Sequence, residues 1–175
     1  MSGHSHWAGI KHKKGVVDQK RGQVFSKLLA AITVAARTEP NPEFNPRLRA
    51  AVLKAREQKV PQENIERAIK RAGTAEGSLE EILIEAHGPG GAAILAAAAT
   101  NNRNRTISEI KKILSDAGGK WGETGSARWA FEADLGGWSP KFSHGLSPED
   151  KAKLTSLISA LEAHDDIQAV LSNAD

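Results

Sequence analysis

The stretch Asn45–Gly73, NPRLRAAVLKAREQKVPQENIERAIKRAG, decides how the first part of this 175-residue chain folds. It holds two helix openings. Asn45 precedes Pro46: a capping side chain, then a residue without the N–H that a first helical position would leave unbonded. Val60-Pro61 repeats the device, with Pro61 expected at the first helical position, and Gly73 follows the second helix as a C′ residue. Leu48, Ala51, Val52 and Ala55 fall on one face of the first helix; Ile65, Ala68, Ile69 and Ala72 do so on the second. Arg47 and Lys54 run along one edge of the first apolar face and Arg49 and Arg56 along the other, while Arg67, Lys70 and Arg71 point away from the second. A surface serving solubility alone would mix both signs. This one is mostly positive and fits a polyanion partner. A solvated basic face is an equal reading while these two helices stand alone.

The charge of the whole chain bears on that choice. Residues 1–72 hold 15 Lys and Arg against 6 Asp and Glu, a net of +9; residues 73–175 hold 9 against 15, a net of −6. The split points to two modules, the first facing phosphate. No cysteine is present, which excludes disulfides, thiol chemistry and zinc–thiolate sites. The apolar run Ala92–Ala99 is too short to cross a membrane and reads as a buried strand. Neither a secretory nor a transit pattern opens the chain, so a cytoplasmic protein with no membrane partner is expected.

Upstream of the opening stretch, residues 1–22 read as a basic arm. His4, His6, Lys11, His12, Lys13, Lys14, Lys20 and Arg21 crowd into it, with Trp7 among them. Cations interleaved with an aromatic ring suit RNA or single strands, where a ring stacks on a base and the cations neutralise phosphate. The plainer alternative is a tail whose Trp7 packs on the helices. With Met1 removed, Ser2-Gly3-His4 would be a free tripeptide able to hold Cu(II) or Ni(II) in a square plane. Such tripeptides arise often by chance; the site is read as a bystander, no metal is expected, and chelation should leave function unchanged. Gln23–Arg37 is the next helix, with Phe25, Leu28, Leu29, Ile32 and Ala36 on one face, and Thr38–Asn45 breaks it with two prolines. Residues 23–73 thus form a basic three-helix domain.

Downstream, Thr74–Ser78 is a linker. Leu79–His87 and Ala92–Thr100 read as strands of a hairpin joined by Gly88-Pro89-Gly90-Gly91. Thr106 and Glu109 have the spacing of a capping box, Ile107, Ile110 and Leu114 face inward, and Gly118-Gly119 ends that helix. Arg103 and Arg105, beside the helix N-terminus, form a candidate anion site; solvated arginines in an Asn-rich turn are the alternative. Lys120–Trp121 is a short strand, and Ser126–Glu132 another, its Ala127, Trp129 and Phe131 expected in the core. Ala133–Gly145 reads as an irregular connection. Ser147-Pro148 opens a helix carrying Leu154, Leu157, Ile158 and Leu161, Asp165-Asp166 turn the chain, and Ile167–Leu171 closes it as a strand. The fold class is α+β: a three-helix module, then residues 79–175 as an α+β sandwich, ββαββ followed by αβ, with helices on one sheet face.

No catalytic constellation emerges. Gly88–Gly91 lacks the Lys-Ser/Thr of a phosphate loop, and there is no nucleophile elbow or His-Glu-x-x-His helix. His164 beside Asp165-Asp166 has metal-ligating chemistry, yet aspartates are expected in a helix–strand turn for backbone reasons. A non-enzymatic protein without cofactor is the expectation.

Several stretches together resemble one family: GHSHWAGIKHKK, NPRL, VPQENIERAIKR, HGPGG, TNNRNRT and GETGSARWAFE. They look like the YebC family, which includes the mitochondrial translational activator of cytochrome oxidase subunit one. The likeness runs almost continuously over Met1–Glu132 and returns over Ser147–Asn173. It implies an N-terminal helical domain and two α+β domains, the third inserted into the second. This chain departs there, since only a short connection near residues 133–146 stands where the inserted domain is expected. His87 replaces an aromatic residue before the GPGG turn, and Trp121 is bulkier than usual.

The resemblance carries two functional accounts, a DNA-binding transcriptional regulator and a ribosome-associated translation factor relieving stalls at proline-rich sequences. Exposed positions of the helical module offer Arg and Lys with few of the Asn and Gln that read bases in the major groove. Cations spread over an arm and three helices suit the backbone of structured RNA. Ribosomal or transfer RNA on the ribosome is therefore the expected partner, with DNA as the alternative, and the protein is expected to be a monomer. On the first account, Arg47→Glu with Arg49→Glu abolishes co-sedimentation with ribosomes. On the second, a promoter duplex is preferred by at least about 1,000-fold over non-specific DNA. A third reading has the acidic second module binding a basic protein, and an isolated fragment 79–175 that still bound ribosomes would favour it.

Overall fold

The computed structural model describes the backbone of residues 4–74, 78–134 and 137–175, and the side chains of residues 18–74, 78–133 and 137–175. The chain forms two compact units, Met1–Gly77 and Ser78–Asp175. Among the described residues, no helix is long and apolar enough to cross a membrane.

The first unit is three helices: α1 (His4–Ala36), α2 (Pro46–Glu57) and α3 (Gln62–Arg71). Helix α1 starts well before Gln23, where its apolar face begins. No proline interrupts residues 4–22, and extending a helix is far less costly than nucleating one. Leu28, Ile32, Ala35 and Ala36 of α1 bury against Leu48, Val52 and Ala55 of α2 and Ile65 and Ala68 of α3.

Asn45 ties this bundle together. Its side-chain oxygen accepts from the Leu48 N–H at 3.0 Å, capping α2. Its amide donates to the carbonyls of Ala35, at 2.9 Å, and Glu39, at 2.7 Å. One buried side chain thus satisfies the end of α1 and the start of α2 together. The Thr33 hydroxyl links α1 to α3 through the Ala68 carbonyl at 3.3 Å. Pro61 sits one position earlier than its sequence context predicts. It is the N-cap of α3, with ψ 137°, and its carbonyl accepts from Asn64 and Ile65.

The second unit is a four-stranded antiparallel sheet, ordered β3-β1-β2-β6, with two helices and a small hairpin. Its elements are β1 (Glu80–His87), β2 (Ala93–Thr100), α4 (Arg103–Asp116), β3 (Lys120–Trp121), β4 (Phe131–Asp134), β5 (Gly137–Pro140), α5 (Pro148–Glu162) and β6 (Ile167–Ser172). Alternation along the strands sorts two cores. Ile82, Ile84 and Ala86 of β1 and Ile94, Ala96 and Ala98 of β2 meet Ile110 and Leu114 of α4 and Leu154, Leu157 and Leu161 of α5. Ala93 and Leu95 face the other way and pack on Ala127, Ala130 and Phe131.

Gly90 closes the β1–β2 connection at φ +70°, and a Cβ there would lie 2.5 Å from Leu146 Cδ2, so both its conformation and its lack of a side chain are used. Between Ala97 and Ala98 the register with β6 shifts, opposing Ala169 and then Ile167, which leaves Gln168 as the extra residue of a bulge.

Four further expectations need correction. Helix α4 begins at Arg103, not at Thr106. Its N-cap is Asn102, which accepts from the Arg105 N–H at 3.1 Å. Thr106 is buried inside the helix, and its hydroxyl bonds Thr100 and Asp166, so the capping box with Glu109 does not form. Residues 126–132 are not one strand: a 3-10 turn, Arg128–Ala130, precedes β4. That turn rotates Trp129 out of the core while Ala127 and Phe131 stay in it. The connection after Ala133 is not irregular throughout, because β5 pairs antiparallel with β4 from Phe131↔Pro140 to Asp134↔Gly137.

Candidate nucleic-acid interface

The cations named by the sequence divide by what they do in the structure. His4, His6, Trp7, Lys11, His12, Lys13 and Lys14 lie on the α1 backbone, but their side chains fall outside the described residues. Lys20 and Arg21 are exposed on α1, and the Arg21 guanidinium lies 5.3 Å from the centroid of the Phe25 ring. Arg21, Val24 and Phe25 line a cavity of about 410 Å³ together with Glu57, Gln58 and Lys59.

On α2 and α3, Arg47, Arg49, Lys54, Arg56, Arg67, Lys70 and Arg71 are all exposed. Three of them also serve the fold. Arg49 Nη1 donates to the carbonyls of Pro42 and Glu43 at 3.2 and 3.3 Å, Arg56 Nε donates to Gln62 at 3.2 Å, and Arg67 pairs with Glu63 at 2.8 Å. Among the described residues, Lys20, Lys54, Lys70 and Arg71 form no ion pair. Lys54 and Arg56 stand in the last turn of α2, and Lys70 and Arg71 in the last turn of α3. There they offset the negative helix ends, a local benefit of about 0.3–1 kcal/mol each.

Phe44 was not singled out from the sequence. It is 75% exposed, in the turn that leads into α2 and three residues before Arg47. The Asn41 carbonyl accepts from its N–H at 3.1 Å, and Arg49 grips the two preceding carbonyls, so the ring is presented from a braced turn. The signal available in sequence was an aromatic inside a proline-bounded loop, which periodicity does not weigh.

Arg103 and Arg105 belong to the second unit. Arg103 pairs with Glu80 at 3.5 Å. Arg105 pairs with Asp166 at 2.7 Å and lies 3.9 Å from Glu109. Carboxylates already occupy the place of the anion envisaged there, and Asn102 takes one free N–H of the helix start.

Glu109, His164 and Asp166 bring three ligand atoms within 4.8 Å of one another, beside a cavity of about 540 Å³ that Arg105 and Lys112 also line. The hydrogen bonds argue for an ionic clasp over a metal centre. The Asp166 N–H donates to His164 Nδ1 at 3.1 Å, so Nε2 carries the proton towards Glu109 at 2.8 Å. An imidazole that binds metal through Nε2 needs its proton on Nδ1, the atom this turn uses as acceptor. Arg105 adds a fixed positive charge 2.7 Å from Asp166 and 3.9 Å from Glu109.

In the second unit, Glu85 is a buried carboxylate, 6% exposed, accepting from the N–H groups of Gly125, Ala127 and Arg128 at 2.7–2.8 Å. Burial pushes its carboxyl up. The three donors and the nearby Arg128 charge outweigh that and hold it below the usual glutamate value. The result is a rigid loop 122–130 on the sheet face away from the helices.

Comparison with known proteins places this arrangement. The TACO1/YebC protein N-terminal domain matches residues 5–75, and the TACO1/YebC second and third domain matches residues 79–135. A probable transcriptional regulatory protein of Solibacter usitatus is 38% identical, with all of this chain and 96% of the relative aligned. That alignment runs to 238 positions, longer than this chain, so the relative carries inserted sequence. A probable transcriptional regulatory protein of Aquifex aeolicus is 53% identical over 135 residues, 75% of this chain but only 54% of the relative. The crystal structure of a conserved hypothetical protein, Aq1575 from Aquifex aeolicus, superimposes with a TM-score of 0.83 at 34% identity, covering 98% of this chain and 97% of that one. With matches over both units and a relative aligned nearly end to end, this chain belongs to the TACO1/YebC family.

Proposed function

We propose that the protein is a non-enzymatic regulator of gene expression that binds nucleic acid, and that its partner is ribosomal or transfer RNA on the ribosome, where it helps synthesis through stalling, proline-rich sequences. The observation that carries this reading is the set of exposed cations without ion pairs among the described residues, Lys20, Lys54, Lys70 and Arg71, on a helical unit whose residues 1–72 have a net charge of +9. They lie on three different helices, so they offer a charged surface instead of one reading helix. Cations spread in this way suit contacts to phosphates and backbone shape. Phe44 adds a ring for an unpaired base.

The test is ribosome co-sedimentation of the full chain and of Lys54→Glu/Lys70→Glu/Arg71→Glu. These residues bind no backbone carbonyl through their side chains, so the variant keeps the braces that Arg49 provides. Loss of the variant from the ribosomal pellet is expected, with slower synthesis through proline runs in its presence. Pelleting equal to the parent would refute the reading.

The names of the relatives favour a second reading, a transcriptional regulator acting on DNA. It predicts selective retention of a promoter duplex, by at least about 1,000-fold over non-specific duplex. Both readings share a steep salt dependence, so sequence selectivity and the ribosomal pellet separate them, not salt.

A further inference from the structure

In the second unit, two large rings stand in water side by side. Trp129 is 61% exposed and Phe142 58%, with centroids 6.3 Å apart and planes at 39°. The sequence assigned Trp129 to the core and left Phe142 in a connection. Neither ring is there for want of order. Trp129 Nε1 donates to the Ser126 carbonyl at 2.9 Å, which fixes the indole. Its loop is clamped by Glu85 through three N–H groups. Phe142 follows Lys141, whose N–H donates to the Ala130 carbonyl at 2.8 Å. Ala127, Ala130 and Phe131, which neighbour Trp129 in the chain, are buried.

Some cations of this acidic unit are spent on carboxylates and others, Lys111, Lys120 and Lys151 among them, form no ion pair among the described residues. Arg103, Arg105, Lys112 and Lys153 are ion-paired. Lys141 forms no ion pair among the described residues, and the Arg128 guanidinium lies over the Trp138 ring, 4.8 Å from its centroid. Arg128 and Lys141 thus adjoin Trp129 and Phe142 in the chain, the Arg128 guanidinium resting on the neighbouring Trp138. A second copy of this chain would be a poor occupant, because an isologous contact would set this cationic, aromatic patch against itself.

The geometry points to a base-stacking platform: Trp129 and Phe142 take one or two unpaired bases of single-stranded RNA, and Lys141 and Arg128 hold the adjoining phosphates. This rests on the RNA reading above and adds to it a second contact, on the other unit and selective for unpaired strands. Rings already fixed before binding lose little freedom on stacking, and each stacked base contributes about 1–3 kcal/mol.

The experiment is fluorescence anisotropy of a labelled single-stranded RNA 12-mer, and of the same sequence as a blunt duplex, titrated with four full-length proteins: the parent, Trp129→Ala/Phe142→Ala, Trp129→Phe and Lys54→Glu/Lys70→Glu/Arg71→Glu. Removing both rings should weaken single-strand binding about 10- to 100-fold and change duplex binding less than twofold, and Trp129→Phe should retain most of the affinity. Equal losses on strand and duplex, or no loss on either, would overturn the platform while leaving the RNA reading intact. A parent protein that binds neither RNA overturns both. Sedimentation of the same samples covers the remaining occupant: a parent dimer that becomes monomeric when both rings are removed shows that a second copy fills the patch, and rejects the platform. Circular dichroism confirms folding, and if the double variant unfolds, Phe142→Ala, which removes one exposed ring, decides the test: single-strand binding equal to the parent overturns the platform.

Discussion

Glu85 shows how one side chain fixes a surface several residues away. Its carboxylate is held below the usual value in the folded state, so it contributes stability that is full above the ordinary glutamate range and is lost as the pH falls through the folded value. Glu85→Gln offers one carbonyl oxygen where three N–H groups now bond. It should lower stability at neutral pH by about 2–4 kcal/mol and flatten the acid limb of stability against pH, as measured by urea titration from pH 7 to pH 3. Asn45→Ala removes a cap and two donated bonds, and should cost about 2–3 kcal/mol in the same measurement. These two residues mark opposite ends of what sequence discloses. Asn45 before Pro46 announces its capping role through local spacing. Glu85 sits in an alternating strand where solvent exposure is expected, and its partners lie some 40 residues on. Nothing local reports a bond of that span.

At the scale of elements, the helices were legible because their apolar faces repeat and their starts carry caps. Asn45-Pro46 and Ser147-Pro148 open α2 and α5 as their spacing predicts. The start of α4 was misplaced by one turn. Thr106 and Glu109 have the right spacing, but Asn102 is the better cap and Thr106 is drawn into a buried network with Thr100 and Asp166. The β4–β5 hairpin was missed because a 3-10 turn breaks the alternation just before it, and Asp134↔Gly137 closes it with no Asn-Gly or Gly-Pro signal. The GPGG turn is where sequence and packing agree. Gly90→Ala must hold φ near +70° and push Leu146 aside, and should cost about 1–3 kcal/mol, read as a lowered midpoint in thermal denaturation.

For the whole molecule, the division of charge is the property that sequence conveyed best, since it needs no contacts to be counted. It makes binding to a polyanion a matter of ions released. For single-stranded RNA, log K should fall linearly with log salt. The Lys54→Glu/Lys70→Glu/Arg71→Glu variant, short of three phosphate contacts, should reduce that slope by about 2. A parallel line displaced downward would mean that these cations do not touch phosphate. The candidate interface was less legible than the fold. Lys and Arg are countable in a sequence, but which of them are spent on Glu63, Glu80, Asp166 or a backbone carbonyl is decided only when the chain closes.

The pairing of β2 with β6 has a consequence for the making of the protein. The first unit has its three helices consecutive in the chain and can close as it is synthesised. In the second unit, β1 and β2 emerge together and zip at once, but the far edge of β2 must wait for Ile167 to leave the ribosome. Until then an alanine-rich, nearly charge-free edge is open to other nascent chains on the same message. Slowing elongation between residues 100 and 167 should therefore raise the fraction that aggregates, and a chain stopped at Glu162 should carry its hairpin and helices complete yet pair with its own kind along β2.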